Sequence, residues 1–147
     1  ATIEANRRQR SVAVDKILAT VGDVEGKLIA VAGLSFKPNT DDMREAPSIE
    51  IINSLQDRGA RIRAYDPVAM DESKHVLKDV EYVDDEYSLA KGADALVVIT
   101  EWNQFRAMDM DRIKEAMTGD VLIDLRNIYR PGQMRELGFT YACTGRC

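Results

Sequence analysis

Histidine and tryptophan each occur once in this 147-residue chain, and cysteine only twice. A single histidine, His75, set in a polar stretch, supplies neither a histidine-bearing metal centre nor a general base for a buried nucleophile, so a surface position is expected for it. Cys143 and Cys147 stand four apart with no histidine near them, which excludes a disulfide framework and a zinc site. They are expected to be a strand thiol and a tail thiol. No apolar stretch approaches the roughly 18 residues that a membrane span requires, and the opening "ATIEANRRQR" lacks the apolar core of a signal peptide. A soluble, cytoplasmic protein is the expectation, with no membrane partner. Positive charge is not in excess either: 20 Lys and Arg against 25 Asp and Glu give −5. No basic stripe follows a phosphodiester backbone, so nucleic acid is not an expected partner. No serine or cysteine sits in a nucleophile elbow. By spacing alone the chain reads as a binding module, or as part of an enzyme.

What is present is a core-forming composition, 45% hydrophobic, sufficient for one domain. Residues 3 to 21 carry Ile3, Val12, Val14, Ile17, Leu18 and Val21 at largely helical spacing, ending near Gly22. This basic helix finds few partners in the chain and looks like the end of an element whose first part is missing. From Lys27 short apolar runs alternate with helix-length polar segments: "KLIAVAG", "SIEIINSLQDRG", "RIRAYDP", then "VEYV", "EYSLAKG", "ADALVVIT", "DMDRIKEAMTG" and "VLIDLR". "FTYACTG" is a last candidate strand. Gly59 stops the first of the helices, and Pro67 to Lys78 is the expected irregular excursion. The runs "LIAVA", "ALVVI" and "VLI" are continuous rather than alternating, as buried parallel strands are. The expected class is α/β: a Rossmann-like, doubly wound, mainly parallel sheet of about 5–6 strands, preceded by the end of a long helix.

In such a sheet, ligands bind beyond the carboxyl ends of the strands. That selects residues 33–44, Tyr65-Asp66-Pro67, Thr100-Glu101-Trp102 and Asp124 to Asn127. The first of these, within "GLSFKPNTDDMREAP", departs from the G-x-G-x-x-G fingerprint: only Gly33 is present, with Ser35 and Pro38 where later glycines would stand. Close backbone approach to a pyrophosphate is thereby hindered, so this loop is not expected to bind NAD. Lys37, Arg44 and Arg126 can supply charge to a small anion such as a nucleotide diphosphate. Equally, Lys37 and Arg44 can pair with Asp41, Asp42 or Glu45, and Arg126 can form a salt bridge at the sheet edge beside Asp124 and Asn127. Asp66 mimics a ribose-binding acid at the wrong spacing; as Asp-Pro it reads first as a turn opener. Asp41, Asp42 and Glu45 lack a second cluster to complete a coordination shell, so no metal is expected. Trp102 and Phe105 are either core or a wall of the cleft.

"GLSFKPNTDDMREAPS", followed by "AYDP", "TEWNQF" and "DLRNIY", resembles the C-terminal domain of the UDP-glucose/GDP-mannose dehydrogenase family, in the form most similar to UDP-glucose 6-dehydrogenases. The resemblance implies that residues 1–21 are the C-terminal part of the helix linking the family's two α/β domains and forming its homodimer contact. It implies that residues 22–147 are the UDP-binding domain. Phe36 and Lys37 match the family's substrate-contacting F-K pair and Arg126 its D-x-R arginine, with Arg44, Asp42 and Trp102 as further substrate-binding candidates. The family oxidises UDP-glucose twice at its 6-hydroxyl, through a thiohemiacetal and a thioester on a cysteine. That cysteine and the NAD fingerprint, borne by an N-terminal domain, have no counterpart here, so no catalytic residue is assigned and the chain alone is expected to be inactive. Cys143 and Cys147 do not match the catalytic motif. A domain of a GDP-mannose or UDP-N-acetylhexosamine 6-dehydrogenase, or a stand-alone Rossmann-like nucleotide-binding or dimerisation module, is the alternative.

Overall fold

A computed structural model describes residues 2–144, with side chains from residue 11 onward. The first helix, α1 (Thr2–Val21), leads into β1 (Leu28–Ala32), and strands and helices then alternate. They are α2 (Pro47–Asp57), β2 (Arg61–Tyr65), α3 (Met70–Ser73), β3 (Val80–Tyr82), α4 (Glu86–Ala90), β4 (Ala95–Val98), α5 (Asn103–Arg106), α6 (Met110–Ala116), β5 (Val121–Asp124), α7 (Pro131–Glu136) and β6 (Thr140–Cys143). The six strands form one sheet in the order β3-β2-β1-β4-β5-β6, every pair parallel. This is the doubly wound α/β arrangement that the alternating runs imply, with its switch point between β1 and β4.

Side-chain alternation divides each central strand between two cores. On one face Ile29, Val31, Ala95, Val97 and Ile123 meet Ile51, Ile52 and Leu55 of α2 and Val14 and Ile17 of α1. On the other, Ala30, Ala32, Leu96, Val98 and Leu122 meet Leu89 of α4, Phe105 of α5, Ile113 of α6 and Met134 of α7. β1 and β4 are buried along their whole length, which is why their sequences show no polar alternation. Each fully buried Leu, Ile or Phe here contributes about 1.5–3 kcal/mol relative to exposure.

Local signals fix several boundaries. Pro47 occupies the first turn of α2, where its missing N–H costs nothing. Gly59 ends that helix at φ +89°, donating to the Gln56 carbonyl. Asp85 caps α4, accepting from the amides of Tyr87 and Ser88.

Four expectations need correction. The stretch 67–78 is not wholly irregular, because α3 makes one turn there, and α5 follows Trp102 where no helix was expected. Nor is α1 short of partners: Val14 and Ile17 are buried, and Lys16 Nζ donates to the Cys143 carbonyl at the end of β6. Cys143 is disulfide-bonded rather than a strand thiol; Cys147 lies outside the described residues.

Candidate functional site

At the carboxyl edge of the sheet the loop after β1 leaves through Gly33, whose φ is +95° and whose N–H donates to the Tyr65 carbonyl at 2.9 Å. A Cβ at this position would lie 2.5 Å from Thr100 Cβ and 2.7 Å from Thr100 N. Only glycine therefore lets the β1 and β4 loops meet. Thr100 Oγ1 then donates to the Ser35 carbonyl at 2.9 Å, joining the two loops across the switch point.

Beneath this junction lies Asp66, fully buried. Its Oδ1 accepts from the amides of Val68 and Ala69 at 2.9 and 2.8 Å, the turn-opening role expected of Asp-Pro. Its Oδ2 accepts from the amides of Leu34 and Ser35 at 2.8 and 3.3 Å and from the indole N–H of Trp102 at 3.3 Å. Asp66 is thus not presented to a ribose. Trp102 is buried in the second core beneath the loop, with Phe105 packed in the same cluster.

Beyond Ser35 the loop turns outward. Phe36 is 50% exposed, and its amide donates to the Asp42 carbonyl, drawing 36–42 into a closed excursion. Lys37 is exposed and forms no ion pair among the described residues. Arg44, by contrast, donates from both Nε and Nη2 to Asp42, each at 3.0 Å. That pair holds the Asp42 carboxyl down at about 2, the Arg44 side-chain bond being the largest cause. Both cations on this loop face solvent, but Lys37 is the one without an ion pair among the described residues, while the Arg44 pairing seen in the sequence is realised.

The fourth loop is organised by Asp124, also fully buried. It accepts from the Arg126 amide at 3.1 Å, the Tyr129 amide at 2.9 Å and the Tyr141 hydroxyl at 2.7 Å. Burial drives the Tyr129 hydroxyl far above its usual range, with the Asp124 charge adding to it, and that hydroxyl donates to the Phe105 carbonyl. Asn127 sits at φ +56° and exchanges two hydrogen bonds with the Thr144 backbone. Arg126, between these anchors, bonds through Nε and Nη2 to Glu101 Oε2. The sheet-edge salt bridge is present, but its acid is Glu101 rather than Asp124. Glu101 and Asn127 lie in segments that the strand ends select but received no individual role from the sequence; the tolerance of asparagine for positive φ was the one available signal.

His75 is exposed, as expected. Among the described residues no group of three or more His, Cys, Asp or Glu could hold a metal ion, and no helix is long and apolar enough to cross a membrane.

This constellation can be set beside known proteins. Residues 30–131 match the UDP-binding domain of the UDP-glucose/GDP-mannose dehydrogenase family. The chain belongs to that family. It is 48% identical over 146 residues to a UDP-glucose 6-dehydrogenase of Rhizobium meliloti, covering 99% of this chain and 33% of that protein. Among solved structures, a UDP-glucose dehydrogenase from Pyrobaculum islandicum superposes with a TM-score of 0.77 at 32% identity, covering 95% of this chain and 30% of the other. A UDP-D-ManNAc dehydrogenase from Pyrococcus horikoshii gives a TM-score of 0.77 at 25% identity, covering 95% and 31%. The chain spans about a third of the length of the relatives it matches.

In this member of the UDP-glucose/GDP-mannose dehydrogenase family the β1 turn spends its backbone donors inside the protein: the Leu34 and Ser35 amides donate to Asp66, and Thr100 stands against Gly33. What remains presented is side-chain charge and an exposed aromatic ring.

Proposed function

We propose that this chain is the C-terminal nucleotide-sugar-binding part of an NAD-dependent UDP-glucose 6-dehydrogenase, which converts UDP-glucose to UDP-glucuronate in two oxidations in the cytoplasm. Residues 1–21 are the end of the linking helix, which contributes to a homodimer, and residues 22–147 are the UDP-binding domain. NAD belongs to the part of the protein that precedes this chain. The observation that carries the reading is the solvent-facing Lys37 on the loop of a family-matching β1, with Arg126 on the same sheet edge. β4 alone separates β1 from β5, so the loops that carry the two cations leave the same sheet edge on either side of the switch point. Two cations at that edge suit the charge of a diphosphate. Phe36, half-exposed next to Lys37, offers a face for an aromatic base or a sugar. Arg44 and Asp42, bonded to each other, shape the loop that carries Lys37.

Calorimetric and NMR titration of the chain with UDP tests this. UDP is expected to perturb amides in residues 33–44 and 124–127. Lys37→Ala and Arg126→Ala are each expected to weaken binding by about tenfold or more, the loss of a charged hydrogen bond of about 1.5–3 kcal/mol. GDP run in parallel reads the base. Saturating UDP that leaves both segments unmoved would refute the reading. The similarity to the UDP-D-ManNAc dehydrogenase of P. horikoshii makes a UDP-N-acetylhexosamine the second sugar to assay.

A further inference from the structure

Asp66 gathers more of the sheet's carboxyl edge than its place in a turn requires. Its two oxygens take bonds from three separate loops: Leu34 and Ser35 after β1, Val68 and Ala69 after β2, and Trp102 after β4. Ser35, whose amide donates to Oδ2, gives its hydroxyl proton to the Lys37 carbonyl at 2.8 Å, so the same residue ties Asp66 to the one that presents its ammonium. The carboxyl is fully buried. An ordinary Asx turn needs only the Oδ1 half of this arrangement.

We propose that Asp66 is the positioning residue for the nucleotide-binding loop: it holds residues 34–37 in the one conformation that presents Phe36 and Lys37, and acts on ligand only through them. The proposal rests on the UDP reading above for its effect on affinity, but not for its effect on the loop. Two features fit this role. A carboxylate accepts at both oxygens, whereas the isosteric amide must turn an NH2 towards existing N–H donors on one side or the other. Buried donors left facing another donor lose their partner altogether, which favours release of the loop. Secondly, the same oxygen that takes the loop amides takes the indole of Trp102, the only tryptophan in the chain. The molecule therefore carries its own optical report on the clamp.

The test is Asp66→Asn in the 147-residue chain, with Lys37→Ala and the double variant completing a cycle. Far-UV circular dichroism and the amide shifts of β1, β4 and β5 establish that each variant is folded. In Asp66→Asn, Trp102 emission is expected to shift and the Leu34 and Ser35 amides to exchange at least tenfold faster, while Lys37→Ala leaves both unchanged. UDP affinity is expected to fall about tenfold in Asp66→Asn, but less than twofold when the same change is made on Lys37→Ala, because the clamp acts through the lysine-bearing loop. Equal effects in the two backgrounds, or unchanged Leu34 and Ser35 exchange, would overturn the proposal. If Asp66→Asn does not fold, Trp102→Phe and Ser35→Ala each remove single donors and are read by the same loop amides: faster exchange supports the clamp, and none refutes it. Should the wild-type chain not respond to UDP at all, the UDP reading fails while the exchange and emission data still decide the clamp.

Discussion

Replacing Gly33 with alanine separates two costs that usually arrive together. The first is conformational: at φ +95° a residue with a Cβ pays about 1–2 kcal/mol for the left-handed region. The second is steric: the added carbon would sit 2.5 Å from Thr100 Cβ and 2.7 Å from Thr100 N, and the backbone nitrogen of a residue following a central strand has little room to retreat. Overpacking of that kind costs about 1–3 kcal/mol. Together they amount to about 2–5 kcal/mol, a large part of the roughly 5–15 kcal/mol by which domains are stable. Gly26 supplies the control, since its φ is +74° but nothing lies within 4 Å of its Cβ position. Gly26→Ala should therefore show the first cost alone. In urea, with a slope of about 2 kcal/mol per M, the midpoint is expected to drop by about 1–2.5 M for Gly33→Ala and about 0.5–1 M for Gly26→Ala. Adding Thr100→Ala should not rescue Gly33→Ala, because alanine keeps both the Cβ and the nitrogen that collide. Equal midpoint drops for the two glycines would refute the steric half of the reasoning, and full rescue by Thr100→Ala would show that the strand end yields.

Two further outcomes follow from the loops and caps. The Asp42 carboxyl, lowered from 3.8 to about 2 by Arg44, keeps its favourable pairing above about pH 4 and loses it as pH falls towards 2. Carbon-detected NMR titration should find that low midpoint, Arg44→Ala should return it to the ordinary range, and molar salt should move it part of the way; an ordinary midpoint in the wild-type chain would show that the pair does not persist in solution. Asp85→Ala removes the acceptor for the Tyr87 and Ser88 amides and the Ser88 hydroxyl at the start of α4. A loss of about 1 kcal/mol is expected, read as a fall in melting temperature of about 2–4 °C, and an unchanged transition would show the cap to be dispensable.

How far these features were legible in the sequence depends on the range over which each is encoded. The strands were legible because burial on both faces writes itself as an unbroken apolar run, as in Leu28–Ala32 and Ala95–Val98. Gly59 and Pro47 mark the ends of α2 by local backbone chemistry. α3 and α5, each four residues long, are shorter than two turns and leave no periodic trace. The positions of Lys37 and Arg126 could be named because strand ends select them, but their states could not. Arg44 has an acid two residues away, whereas Arg126 takes one 25 residues away in sequence and Asp66 draws donors from 31 to 36 residues away. Such partners are chosen by strand order, and a one-dimensional reading offers several acids at once. The docking of α1 was missed for the same reason, its lysine having a partner 127 residues distant.

That last bond has a consequence for how the molecule comes into being. On a ribosome, α1 is made before any strand, yet the carbonyl it caps is made 127 residues later. At about 5–20 residues per second that carbonyl follows the lysine by roughly 6–25 s; α2 is available to Val14 and Ile17 sooner, but Ile123 of the same cluster is not. β1 waits as well, because its neighbour on one side, β4, begins 67 residues after it. A sheet in which every connection is a crossover offers no early hairpin to shelter these surfaces, and its pairing is slow to nucleate. The apolar faces of α1 and β1 that meet β4 and β5 are thus covered late, and this stretch stays open to aggregation and to chaperones until those strands have been made.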